Sequence, residues 1–266
     1  METGDTLNSS VNPKYIKERK RKMKIFKMLA VAMTAILVLC GCENSLEFVP
    51  EDAQIIVYGN TKAVLDSKIW DMLKENKTFQ KELMDELKEM LGVKEIDEVS
   101  GNIALWADSV EEAEKGKFNA VVVLDEGNAE EIYSAIKKQL KKGSGYVKEE
   151  KMDKHDLLVV KNSEESKRTQ FSILLVNSRV LHVCFGDTIS SVIDNDSDND
   201  TACSIDQDAV FAAAGTPDLW ASLIKQSGVG EHVKVKDLGA GIIEFFMTKN
   251  EIEVKAKLDI SDLEIK

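Results

Sequence analysis

Residues 146–185, YVKEEKMDKHDLLVVKNSEESKRTQFSILLVNSRVLHVCF, carry four apolar stretches separated by polar turns. Tyr146-Val147, Leu157 to Val160, Phe171 to Val176 and Val180 to Phe185 are each too short for a buried helix and rich in β-branched residues. Such spacing predicts an antiparallel meander, with Asn177-Ser178 as a tight turn between the last two strands. Toward the C-terminus, a short helix is expected around Ile189, Val192 and Ile193, followed by the acidic run DNDSDND at 194–200. A strand is then expected at Leu219 to Ile224 and another at Ile242 to Met247. Strict alternation of Ile252, Val254, Ala256, Leu258 and Ile260 predicts the clearest strand of the chain.

Toward the N-terminus, Ala129, Ile132, Tyr133, Ile136 and Leu140 recur at helical spacing, and the pattern ends in lysines before Gly143, as the helix dipole favours. Asn102 to Ala107 and Phe118 to Leu124 read as strands, and Ala53 to Tyr58 as a buried strand after Pro50. Between them, one helix is expected from Thr61 through Leu73 and a second after Asn76 carrying Phe79, Leu83, Leu87 and Met90/Leu91, the two forming an αα-hairpin. The fold class is therefore α+β: an antiparallel sheet with helices packed on one face. Strand, helices and hairpin recur in outline near the C-terminus, as a duplicated module with an abbreviated second copy would produce. The expected division is 51–200 for an α+β domain and 201–266 for a smaller β-rich module.

The first 41 residues have a different character. Lys24 and Lys27 precede an apolar run from Met28 to Leu39, which leads into Leu39-Cys40-Gly41-Cys42. A helix of that length rises only ~18 Å against a hydrocarbon core of ~30 Å, so a permanent span is the poorer reading and a cleaved export signal the better one. Gly41 suits the narrow pocket that must accept the residue before the cut. The stretch resembles the lipobox of bacterial lipoproteins, with Leu39 and Gly41 at the matching places and Cys40 as a less usual one between them. That resemblance implies cleavage before Cys42, lipidation of Cys42, and an extracytoplasmic protein held to a membrane of the cell envelope. An ordinary signal peptide with an incidental cysteine is the competing reading. Met23 begins a complete signal by itself, so residues 1–22 are read as preceding the start codon in use, and residues 42–50 as a tether close to the lipid. The stretch VPEDAQIIVYGNTKAVLDS is also similar to the opening of poorly characterised bacterial envelope lipoproteins, which implies no activity.

Residues 1–41 hold eight of the 35 Lys/Arg and three of the 47 Asp/Glu, leaving 27 against 44, a formal charge of -17. So acidic a chain is a poor partner for nucleic acid or anionic headgroups, because affinity for phosphate rests on basic side chains releasing counterions. Expected partners are the membrane, through the anchor, and an unidentified protein or small molecule. No cofactor is expected. Of the cysteines after residue 42, Cys184 sits in a strand pattern and Cys203 in a polar one; an oxidising envelope permits a disulfide that a chain of this size does not need.

Asp194, Asp196, Asp198 and Asp200 alternate like the opening of a calcium loop, but Asn199 stands in place of the turn glycine and Ile205 in place of the closing glutamate. His182 and Cys184 leave one face of a strand and could give a soft metal two ligands, too few for a structural site. No Gly-x-Ser-x-Gly, phosphate-binding or dinucleotide-binding motif occurs. Trp70, Trp106 and Trp220 each fall in apolar elements and read as core. A non-catalytic binding or envelope-support role is expected, with a lipid-anchored hydrolase using dispersed acidic residues as the alternative.

Overall fold

The computed structural model describes residues 44–76, 84–143, 146–166, 168–190, 192–193, 199–217, 219–220, 233–235, 238–247, 252–260 and 263–265. Cys42, the stretch expected to be an export signal, Phe79, Leu83 and Asp194–Asp198 lie outside them.

Ten strands form one sheet: β1 (Ile55–Asn60), β2 (Gly101–Ala107), β3 (Phe118–Leu124), β4 (Tyr146–Met152), β5 (His155–Lys161), β6 (Thr169–Leu175), β7 (Val180–Phe185), β8 (Phe211–Gly215), β10 (Leu238–Met247) and β11 (Ile252–Ile260). Two further strands, β9 (Val233–Val235) and β12 (Leu263–Ile265), pair separately. The sheet order is β11-β10-β8-β1-β2-β3-β7-β6-β5-β4, with every neighbouring pair antiparallel. The meander expected over 146–185 is present as β4 to β7. Its tight turn forms because Asn177 Oδ1 accepts from the N–H groups of Arg179 (2.8 Å) and Val180 (2.9 Å), an Asx turn. The β4–β5 hairpin closes through Asp153-Lys154, with Asp153 at φ 54°, a conformation the short Asp side chain tolerates.

Strands from the second half of the chain extend the same sheet. The order β1-β2-β3 runs outward from one side of the β1/β8 pair, and β8-β10-β11 runs outward from the other. In both trios a long connection joins the first two strands and a shorter one the last two. The innermost strand of the second trio is not where hydrophobicity placed it. Of the stretch expected as a strand, Leu219 and Trp220 are helical and 221–224 lie outside the described residues; the strand beside β1 is the alanine-rich FAAAG at Phe211–Gly215. Small side chains are what that position needs: Ala212 and Ala214 are fully buried beneath Ala202, Ile205 and Ala209.

The helices are few and stand on both faces, which corrects the expected single helical layer. Among the described residues, those with both ends described are α1 (Thr61–Leu65), α2 (Lys68–Glu75), α3 (Asp85–Leu91), α4 (Val110–Glu114), α5 (Ala129–Lys142) and α6 (Asp200–Cys203). The helix expected from Thr61 to Leu73 is broken because Ser67 acts as a new N-cap, its Oγ accepting from Trp70 N–H at 3.2 Å. Helix α3 packs against α5. The approach depends on Gly92, which has φ 73° and whose Cβ, if present, would lie 2.5 Å from Ala135 Cβ. Helix α5 covers β4, β6 and β7, tied down by Lys137 and Lys141 on Glu149, while α6 contributes Ala202 to the opposite face. No helix forms at Ile189, Val192 or Ile193.

Residues 44–49, expected in the tether, belong to the fold. They make a 3-10 turn (Ser45–Phe48) capped by Asn44, and Leu46, Phe48 and Val49 are buried against the sheet. Ser45 N–H donates to Asn102 Oδ1 at 2.5 Å. Only Glu43 separates Cys42 from the first described residue.

Candidate functional site

Alternation along the central strands puts Trp106, Asn119, His182 and Cys184 on one face, for Trp106 is opposite Asn119 and Asn119 opposite Cys184 in the ladder. A cleft of about 340 Å³ opens above them. One wall is Pro50 and Asp52, immediately after the buried 3-10 turn. The other is the strap Asp187–Ser190 with Ile193.

Gly186 turns the chain from β7 into that strap. Its φ is 75°, and an added Cβ would meet Gly116 O and Lys117 Cγ at 3.1 Å, so a side chain is excluded by conformation and by space. Polar groups on β6 then pin the strap: Ser172 Oγ donates to Asp187 O (3.3 Å) and accepts from Ile189 N–H (2.9 Å), and Thr169 and Thr188 hydroxyls bond at 2.7 Å. Ile189 is thereby buried with Leu157, Val159, Leu174 and Cys184.

The floor is neutral. His182 is 6% exposed and its imidazole stacks on Trp106 with centroids 6.0 Å apart and planes at 17°. Burial drives its pKa down to about 4. Nε2 lies 3.3 Å from Asn119 Oδ1, whereas Nδ1 is buried and has no hydrogen-bond partner among the described residues. Cys184 is a free thiol pushed up to about 11, first by burial and then by the charge of Asp187. The mouth is charged. Lys117 is raised above its ordinary value by its hydrogen bond to Asp187 (3.3 Å), by that carboxylate's charge, and by Glu112 at 3.7 Å. Asp108, in the turn from β2 to α4, is raised by partial burial, then by Asp52 and Glu112, with Lys117 opposing.

The expected shared face of His182 and Cys184 is thus present, and it is the floor of a cleft. No third ligand joins them: among the described residues no group of three or more His, Cys, Asp or Glu is arranged to hold a metal. Cys203 is exposed and free. In the acidic run, Asn199 is a helix cap whose Oδ1 accepts from Ala202 N–H (2.9 Å) while Nδ2 donates to Pro50 O (2.8 Å), and Ile205 is core. Trp70 and Trp106 are buried, the latter also lining the cleft; Trp220 is half-buried with Nε1 donating to Gly215 O at 3.1 Å. Asp52, Asp108, Glu112 and Lys117 had no signal in the sequence beyond being charged, because strand register and the fold-back at Gly186 bring them together.

No protein-family model and no curated protein matches the chain. A solved structure described as "Structure of crystal form I of TP0453" matches 85% of this chain and 82% of its own at 12% identity and a TM-score of 0.45. A likeness of that size carries no argument about the cleft.

Proposed function

We propose that the protein is an extracytoplasmic lipoprotein, anchored through Cys42 to a membrane of the bacterial envelope, whose folded part acts by binding and not by catalysis. The observation that carries the binding reading is the cleft of about 340 Å³ over the central strands, floored by the buried, stacked Trp106–His182 pair and the buried Cys184. Burial raises the thiol and lowers the imidazole, so both floor groups favour their neutral forms, as suits a recognition surface. The anchor reading is supported by the position of Cys42. The lipobox-like stretch ends two residues before Asn44, where the described fold begins, so a processing site there would leave the core intact.

The hydrolase alternative draws on one feature, the gathering of Asp52, Asp108 and Glu112 at the mouth with Asp108 raised. It requires a bond-breaking role for those carboxylates, and activity should then disappear in Asp108→Asn. Anchoring is tested by growth with labelled palmitate. Label should enter the native chain and be absent from Cys42→Ser; label retained in that variant overturns the assignment.

A further inference from the structure

We propose that β11 pairs edge to edge with β11 of a second copy of this chain, antiparallel about Lys255, so that two ten-stranded sheets join into one.

Topology leaves a place for a strand there. β11 is the last strand of its sheet, and among the described residues nothing pairs with its outer side. In the other trio the corresponding strand, β3, has β7 on that side, antiparallel and in register from Phe118 to Val123. The two edges of the sheet are also finished differently. β4, the opposite edge, presents the charged run Lys148-Glu149-Glu150-Lys151, and Glu149 holds Lys137 and Lys141 of α5 beside it. Charges and a covering helix close an edge to other strands. β11 has neither a proline nor a bulge from Ile252 to Leu258, where it follows β10 in unbroken register, and residues 252–257 are all exposed.

Charge chooses the partner and the register. Copies that turn their apolar faces to the same side are related by a twofold axis through a residue, because any other axis sets Val254 beside the charged face of its neighbour. An axis at Ala256 opposes Glu253 to Asp259 and Lys255 to Lys257, like against like. An axis at Lys257 needs Asp259 and Ile260, beyond the point where pairing with β10 becomes irregular. An axis at Lys255 uses Ile252 to Leu258 alone and sets each Glu253 against Lys257 of the other copy, while Val254 meets Ala256. The lysine on the axis is drawn aside, for Lys255 Nζ lies 4.0 Å from the centroid of the Phe246 ring on β10. β11 is thus its own complement in one register, which a strand of arbitrary sequence is not. Pairing occupies the backbone edge and leaves the face that carries Val254 open to solvent.

The test uses the processed chain with Cys203→Ser, which removes an exposed thiol, and reads dimers by sedimentation and by copper-phenanthroline oxidation. Lys255→Cys should give a disulfide-linked dimer, since opposed residues stand ~4.5–5.5 Å apart between Cα atoms, within disulfide reach. Glu253→Cys should not, its two copies lying about 14 Å apart. Without introduced cysteines, Glu253→Lys should weaken the dimer about tenfold, and adding Lys257→Glu should restore it, a rescue that misfolding would not allow. The proposal is overturned if the chain sediments as a monomer at every concentration, if Glu253→Cys cross-links as readily as Lys255→Cys, or if Glu253→Lys leaves the dimer unchanged. A strand of another protein at this edge in place of the symmetric pair would overturn it as well.

Discussion

The two strand trios that meet at the β1/β8 pair have the same order and the same antiparallel pairing, yet the second is covered only in part: Ala212, Ala214 and Ile242 are core, while its outer strand is open. Every residue of β2 is buried, and β3 is buried from Ala120 to Leu124. In the other trio, Phe211 and Phe245 are each 37% exposed, and Ile252 and Val254 of β11 are 62% and 55% exposed. Pairing therefore fixes where a strand lies, and its neighbours above and below fix what its side chains contribute. β3 is flanked on its far side by β7 and the meander, whereas β11 is the edge of the sheet.

The largest expected effect probes the environment beside the covered trio. His182 stacks on Trp106 of β2, and its neutral form is favoured by the fold, so the unfolded chain binds the proton first as pH falls. The stability it contributes is complete above its ordinary value of 6.5 and is lost as pH drops from there toward about 4. The loss is on the order of 3 kcal/mol, read as the difference between denaturant unfolding curves of the native chain and His182→Phe across that window. Equal acid sensitivity in both would contradict the buried, neutral ring. Next comes one substitution made twice. Val121→Ala on β3 removes fully buried methyl groups and should cost about 2 kcal/mol. Val254→Ala on β11 should change stability by less than ~0.5 kcal/mol. Similar losses at both positions would mean that β11 is covered in solution, and would erase the contrast between the trios.

That contrast also marks what the sequence could reveal. Alternation from Ile252 to Ile260 correctly indicated a strand, because a period of two is a property of the extended backbone. It said nothing of burial, since the same pattern serves a covered and an open face. FAAAG was missed for the opposite reason. Alanines give no strand signal of their own, and their suitability at 211–215 appears only once Ile205 and Ala209 lie over them. The helix end before Gly143 was legible from its lysines and glycine, whereas the end at Gly92 and the break at Ser67 were not anticipated although their cap chemistry was present. For the cleft, the shared face of His182 and Cys184 could be read from spacing. Its walls could not, because Pro50, Asp108, Lys117 and Asp187 meet only through long-range pairing and a left-handed glycine.

The 3-10 turn at Ser45–Phe48 has a consequence for mechanics. Leu46, Phe48 and Val49 are inserted in the core, and Pro50 and Asp52 of the cleft wall follow directly. On the reading that Cys42 is the processed residue, a pull on the anchor would reach the sheet within a few residues, and it would load the cleft wall before any other part of the fold.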